Sequence, residues 1–128
     1  MTSDLLQQMP SDKCDLRAAE SLISLGYPAV APVLPQLLEW IQDGNWPVAR
    51  VIAPFLTTIG EPLVPHARQI LSCDDDTWKY FFLETVVAKS SKLRTLLRPE
   101  LERVADRPTE SEAAEGLDPM ARAMLAIA

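Results

Sequence analysis

Cysteine and histidine are scarce in this sequence of 128 residues, with Cys14 and Cys73 the only two cysteines and His66 the only histidine. Two cysteines without a CxxC or zinc spacing form neither a disulfide framework nor a zinc site, so reduced, packed thiols are expected. His66 has no serine or cysteine nucleophile near it in sequence, and a lone helical histidine is more often structural than catalytic.

Long apolar runs are missing as well, and no run is long enough to cross a bilayer. The N-terminal residues MTSDLLQQMPSDK lack the basic and apolar regions of a signal peptide. We therefore expect a cytoplasmic protein that binds no membrane. The sequence also contains no P-loop, HExxH or GxSxG motif. We expect no enzymatic activity, no cofactor and no metal.

Basic residues are outnumbered, with 12 Lys and Arg against 18 Asp and Glu, which gives a net charge of −6. This balance makes nucleic acid a poor partner and a basic protein surface a better one. Much of the acidity lies in residues 73–76 and 109–118. The run Asp74, Asp75 and Asp76 lacks the spacing of an EF-hand. Helix capping is its simplest role, since carboxylates favour the start of a helix.

Strand patterns are nearly absent, whereas apolar residues recur at helical spacing and many prolines stand where a first turn would begin. About seven helices are predicted, over residues 15–25, 28–43, 46–60, 62–72, 77–89, 91–106 and 119–127. Residues 1–12 are expected to form a flexible N-terminus. Residues 107–117 are expected to form a polar loop before the last helix.

Several segments resemble one another. GYPAVAPVLPQLL from Gly26 is similar to GEPLVPHARQIL from Gly60, and DGNWPVARVIA from Asp43 is similar to EGLDPMARAMLA from Glu115. A repeat that extends from Gly26 to Gly60, with two helices per unit, favours a short HEAT-like α-solenoid over a plain seven-helix bundle. We predict one all-α domain over residues 1–128, a right-handed stack of antiparallel helix pairs.

The tryptophans are candidate contact residues, because tryptophan is enriched in binding hot spots. Trp46 and Trp78 occupy equivalent positions in the predicted repeat, which favours core packing over partner contact. Arg50 matches Arg122 in the same way and could pair with an acid of the next unit. The candidate partner-binding residues are Asp43, Trp46, Arg50, Asp74, Asp75, Asp76 and Trp78.

The run LISLGYPAVAPVLPQLLEWIQDGNWPVARVIAPFL, followed by DDDTWKYFFL, resembles the bacterial domain of unknown function 5071 family. Its most specific part is Leu38-Glu39-Trp40, Asp43 and Asn45-Trp46-Pro47. Cys14 departs from the pattern, because an aromatic residue is expected there. The resemblance implies a small, helical, HEAT-like protein and brings no catalytic residues. It also suggests an immunity or antitoxin role, which small acidic bacterial proteins of this type often have.

Three functions follow as hypotheses. The first is a non-enzymatic module that binds a basic protein partner, with an immunity protein as its most concrete form. The second is a small-ligand or enzymatic pocket around Trp46, Arg50, His66 and Trp78. The third is a structural homo-oligomer, in the form of a weak homodimer, because the apolar last segment MARAMLAIA would need a cover at the end of a solenoid.

Overall fold

A computed structural model describes residues 2–127, and the side chains of residues 4–127. This part of the chain is all-helical and contains no β-strand, which confirms the all-α part of the predicted fold. Ten α-helices follow one another: α1 (Thr2–Gln7), α2 (Leu16–Leu25), α3 (Leu34–Glu39), α4 (Pro47–Thr57), α5 (Val64–Leu71), α6 (Asp76–Thr85), α7 (Ser91–Leu96), α8 (Arg98–Asp106), α9 (Glu110–Ala114) and α10 (Leu117–Ile127). Four 3-10 helices lie between them: Ala31–Val33, Trp40–Gln42, Glu61–Leu63 and Val87–Lys89.

The predicted number of about seven helices is therefore too low for the described residues. The expected helix 91–106 is divided into α7 and α8 around Leu97. Pro99 lies in the first turn of α8, where its missing N–H needs no partner. A break or a kink is expected at Pro99 from its sequence position, and the structure shows the break.

The two segments expected to be irregular supply the other helices. In the segment 1–12, α1 forms and buries Leu5, although residue 1 itself lies outside the described residues. In the segment 107–117, α9 forms because Thr109 and Glu112 make a capping box that satisfies two backbone N–H groups. Both predictions mistook a short amphipathic or polar helix for a loop.

Capping side chains and first-turn prolines begin helices as the sequence predicts. The Asp15 carboxylate accepts a hydrogen bond from the backbone N–H of Ala18 at 3.3 Å and caps α2. Trp46 is extended, and Pro47 opens α4 with its fixed φ. These contacts satisfy or avoid the free N–H groups that every helix leaves at its start.

One local arrangement, a glycine followed by a 3-10 turn and a helix, occurs twice in the structure. Gly26 and Gly60 have φ of 73° and 78°, in the left-handed region that favours glycine. Each precedes a 3-10 turn, and each turn leads into a helix with proline at its second position, Pro35 in α3 and Pro65 in α5. The similarity of the two sequence segments thus corresponds to a similarity of local structure.

The helices share one hydrophobic core. α2 contacts α4, the turn Trp40–Gln42 contacts α6, and α6 contacts α10. α10 packs most extensively on α8 and buries Leu117, Ala121 and Met124. In the apolar last segment that motivated the homodimer hypothesis, Ala121 and Met124 are therefore covered within the molecule, whereas Ile127 is exposed. No helix within residues 2–127 has the length and apolarity needed to cross a membrane.

Candidate functional site

The three aspartates before α6 have three different environments. Asp75 caps the helix by accepting the backbone N–H of Trp78 at 2.9 Å. Asp76 forms an ion pair with Nζ of Lys79 at 2.9 Å. Asp74 is exposed and lines a neighbouring cavity. The capping role predicted for this run thus belongs to Asp75.

A largely buried group of charges joins α6, α8 and α9. Nζ of Lys79 lies 2.9 Å from one carboxylate oxygen of Glu112, and Nη2 of Arg103 lies 2.7 Å from the same oxygen. The accessible fraction is 4% for Lys79 and 0% for Glu112. Nη1 of Arg103 also donates to the second oxygen at 2.9 Å. We call Asp76, Lys79, Arg103 and Glu112 the charge cluster.

The charge cluster keeps its members ionised. Hydrogen bonds from Arg103 are the main reason why the pKa of Glu112 lies far below its ordinary value, against the opposing effect of burial. Burial acts to lower the pKa of Lys79, but hydrogen bonds to Glu112 and Asp76 raise it above the ordinary value. Ser111 and, to a smaller degree, Lys79 lower the pKa of Asp76. Two cations and two carboxylates therefore balance one another inside the protein.

The charge cluster brings together the two acidic segments that stand apart in sequence. A cavity of about 490 Å³ lies between them, with Asp74 and Asp76 on one side and Thr109 and Ser111 on the other. The outward carboxylates of these segments remain exposed. We call this set the acidic surface: Asp74, Asp75, Glu110 and Glu115.

The tryptophans lie partly in the core and partly at the surface. The rings of Trp40 and Trp46 meet edge to face, with centroids 5.9 Å apart. Nε1 of Trp78 donates to the carbonyl oxygen of Leu38 at 3.0 Å. All three rings pack on the core and stay partly accessible. The expected core role is therefore met in part, but Trp46 precedes α4 while Trp78 lies within the first turn of α6, so their positions are not equivalent.

Two open cavities adjoin along α3. One, of about 310 Å³, is lined by Trp40 and Trp46, and the other, of about 430 Å³, is lined by His66 and Trp78. Gln36 and Glu39 line both. We call the first cavity the aromatic groove, defined by Met9, Gln36, Glu39, Trp40, Gln42 and Trp46.

The hypothetical pocket around Trp46, Arg50, His66 and Trp78 is thus divided. His66 and Trp78 share one cavity and Trp46 lines the next, whereas Arg50 is exposed beside a third, with Glu84 and Lys89. Within the described residues the expected pairing of Arg50 with an acid of the next unit is not found.

Two further predicted features have structural explanations. The Asp43 carboxylate accepts the backbone N–H of Asn45 at 2.9 Å and so stabilises the turn before α4. Cys14 is free and exposed, and Cys73 is free and half-buried, so the expectation of packed thiols is wrong for Cys14. Within residues 4–127 no three His, Cys, Asp or Glu side chains are grouped to hold a metal ion.

Sequence reasoning missed Lys79, Arg103 and Glu112, and it did not single out Gln36. One local signal was present for Glu112, because Thr109-x-x-Glu112 has the spacing of a capping box. No local pattern links Glu112 to Lys79, which lies 33 residues away in the chain.

Comparison with curated proteins finds none that matches this chain. A family model does match, over residues 8–125, and its description is Domain of unknown function (DUF5071). The match covers nearly the whole chain, including the aromatic groove and the charge cluster. The chain therefore belongs to the DUF5071 family.

Proposed function

We propose that this protein is a non-enzymatic binding module whose acidic surface docks a basic protein partner. The observation that supports it is the pairing of Lys79 with both Asp76 and Glu112, which joins two acidic segments into one surface. Neither segment alone is more than a short run of carboxylates. Together they share one cavity, which Asp74 lines, and they leave four acids exposed.

The distribution of charge supports attraction of a cation. The positive charges that line the cavity between the acidic segments, Lys79 and Arg103, are already engaged by Asp76 and Glu112. Within residues 4–127, Asp74, Asp75, Glu110 and Glu115 form no ion pair of their own. Unpaired charges of one sign steer a partner of opposite sign and speed association.

We further propose that the helices form a short, right-handed, HEAT-like stack that presents this surface rigidly. The repeated glycine, 3-10 turn and proline helix at Gly26 and Gly60 supports a repeated unit. The contacts of α2 with α4 and of α6 with α10 support neighbouring units packed side by side. A stack of this kind fixes the positions of residues from distant parts of the chain.

The most concrete version is a bacterial immunity or antitoxin protein in the cytoplasm, which would neutralise a basic toxin. Small size and a net charge of −6 support it. In this version the partner is a folded protein with a positive patch, and binding blocks the patch.

The test is affinity capture of a partner, followed by charge reversal. The captured protein is purified, and its Kd is measured against the wild type, the pair Asp74→Lys with Glu110→Lys, and the control pair Glu20→Lys with Glu61→Lys. The control changes the net charge equally at other exposed acids. We expect the first pair to weaken binding about tenfold and the control about twofold or less. Equal effects of the two pairs would contradict the proposal.

A further inference from the structure

Gln36, which lines the aromatic groove, has a buried acceptor atom without a hydrogen-bond donor. Oε1 of Gln36 is inaccessible to solvent and has no partner among the described residues. An unsatisfied buried polar atom of this kind costs stability unless a ligand or another group satisfies it. Gln36 lines both cavities along α3 with other atoms of its side chain, so a change of rotamer would bring Oε1 to a group that enters the groove.

The groove also has the charge and the ring surfaces that suit a cation. Glu39 is exposed beside Gln36, and the lining contains no lysine or arginine. Trp40 and Trp46 form one wall. A tryptophan face attracts a cation, and a planar guanidinium can stack on it while donating to oxygen atoms at its edge.

Shared lining residues relate the groove to the cavity beside the acidic surface. Gln36 and Glu39 continue into the cavity of His66 and Trp78, and Cys73 lines both that cavity and the one between the acidic segments. A partner bound to the acidic surface can therefore extend along α3 into the groove. The partner would then make short-range, directional contacts in the groove, in addition to its long-range attraction to the acidic surface.

We propose that the aromatic groove is a subsite for an arginine side chain of the basic partner. The Gln36 side chain changes rotamer and turns Oε1 towards the groove. The guanidinium donates to this oxygen and to the carboxylate of Glu39, and its plane lies against Trp40 and Trp46. Arginine fits better than lysine, because its five N–H donors can serve two acceptors at once. This inference rests on the proposed function, since it identifies one residue type of the same partner.

The probe for the test is N-acetyl-arginine amide, with N-acetyl-citrulline amide as an uncharged control of similar shape. The chain has three tryptophans, so the ¹H–¹⁵N spectrum shows three indole signals that single Trp→Phe variants assign. We expect the Trp40 and Trp46 signals to move saturably with the arginine probe and about tenfold less with citrulline. Equal responses to the two probes, or none, would overturn the proposal.

Two variants of one residue give a result that misfolding cannot imitate. Gln36→Glu adds a second carboxylate and should tighten binding of the arginine probe about threefold or more. Gln36→Leu and Glu39→Gln should each weaken it by a similar factor or more. A Gln36→Glu variant that binds the probe more weakly, while still folded by circular dichroism, would contradict a cation in the groove.

The two proposals can fail separately. Asp74→Lys with Glu110→Lys should weaken partner binding but leave the arginine titration of the groove unchanged. If the probe does not bind while charge reversal still weakens the partner, only the groove assignment is wrong. If the probe binds while charge reversal has no effect on the partner, the acidic docking surface is wrong and the groove remains a cation site.

Discussion

Lys79 and Glu112 lie 33 residues apart in the chain, and their charged groups meet at 2.9 Å in the interior. Arg103 completes the arrangement from α8. A buried ion pair of this kind adds little net stability compared with apolar packing, but the loss of one partner leaves the other charge buried and uncompensated. The charge cluster therefore fixes the position of α9 more than it stabilises the whole fold.

Glu112→Gln should lower the free energy of unfolding by about 3 kcal/mol, because Lys79 and Arg103 lose their shared counter-charge. The measurement is urea denaturation followed by circular dichroism at neutral pH. Glu115→Gln is the matched control, since this exposed carboxylate belongs to the acidic surface and should change stability by less than about 0.5 kcal/mol. Similar small effects for both variants would mean that the charge cluster does not hold α9.

The lowered pKa of Glu112 determines how the stability of the protein should depend on pH. The pKa of Glu112 is lowered in the folded state, and its unfolded value is about 4.3. Below that pH the unfolded chain binds a proton that the folded protein does not bind, so acid favours unfolding.

The stability advantage of the wild type over Glu112→Gln should therefore be complete at neutral pH and should shrink as the pH falls below about 4.3. Urea titrations of both proteins between about pH 7 and about pH 3 measure that difference. A difference that stays constant over this range would show that Glu112 is not held ionised by its neighbours.

Asp75 and Asp74 should differ in their contribution to stability, although they are adjacent and both exposed. Asp75→Ala removes the cap of α6 and should cost about 1 kcal/mol of unfolding free energy. Asp74→Ala removes no such bond within the described residues and should be nearly neutral for stability. The pair of thermal melts separates the structural aspartate from the one available to a partner. Equal losses would contradict the assignment.

Gly44 is a position where any side chain meets Phe81. A Cβ there would overlap Cδ1 of the ring and lie 3.0 Å from Cγ. Gly44→Ala should therefore cost about 1–3 kcal/mol through overpacking. The control is the same change in a Phe81→Ala background, where the ring is gone and the cost should fall below about 0.5 kcal/mol. Equal costs in the two backgrounds would exclude the contact as the cause.

The elements that sequence predicted well depend on local signals. Asp15, Asp75 and Pro47 mark helix starts because the groups they satisfy or avoid lie within one turn of them. Gly26 and Gly60 mark the repeated turn because few other residues adopt positive φ. All seven predicted helices have counterparts in the structure for this reason.

The features that sequence missed depend on contacts between distant segments. Glu112 looked like one more solvated acid in a polar run, and its burial requires Lys79 and Arg103 from other helices. Lys79 lies in the apolar run WKYFFLETVVAK, where no local pattern marks a lysine that pairs with distant acids. The unpaired Oε1 of Gln36 depends on packing around α3 and has no sequence pattern at all.

The dependence of partner binding on salt tests the proposed docking most directly. The Kd of the captured partner is measured for the wild type and for Asp74→Lys with Glu110→Lys, between about 50 mM and about 300 mM salt. The proposed docking predicts a steep loss of wild-type affinity with added salt and a clearly shallower loss for the variant. Identical slopes for the two proteins, or a wild-type Kd that does not change with salt, would contradict a basic partner on the acidic surface.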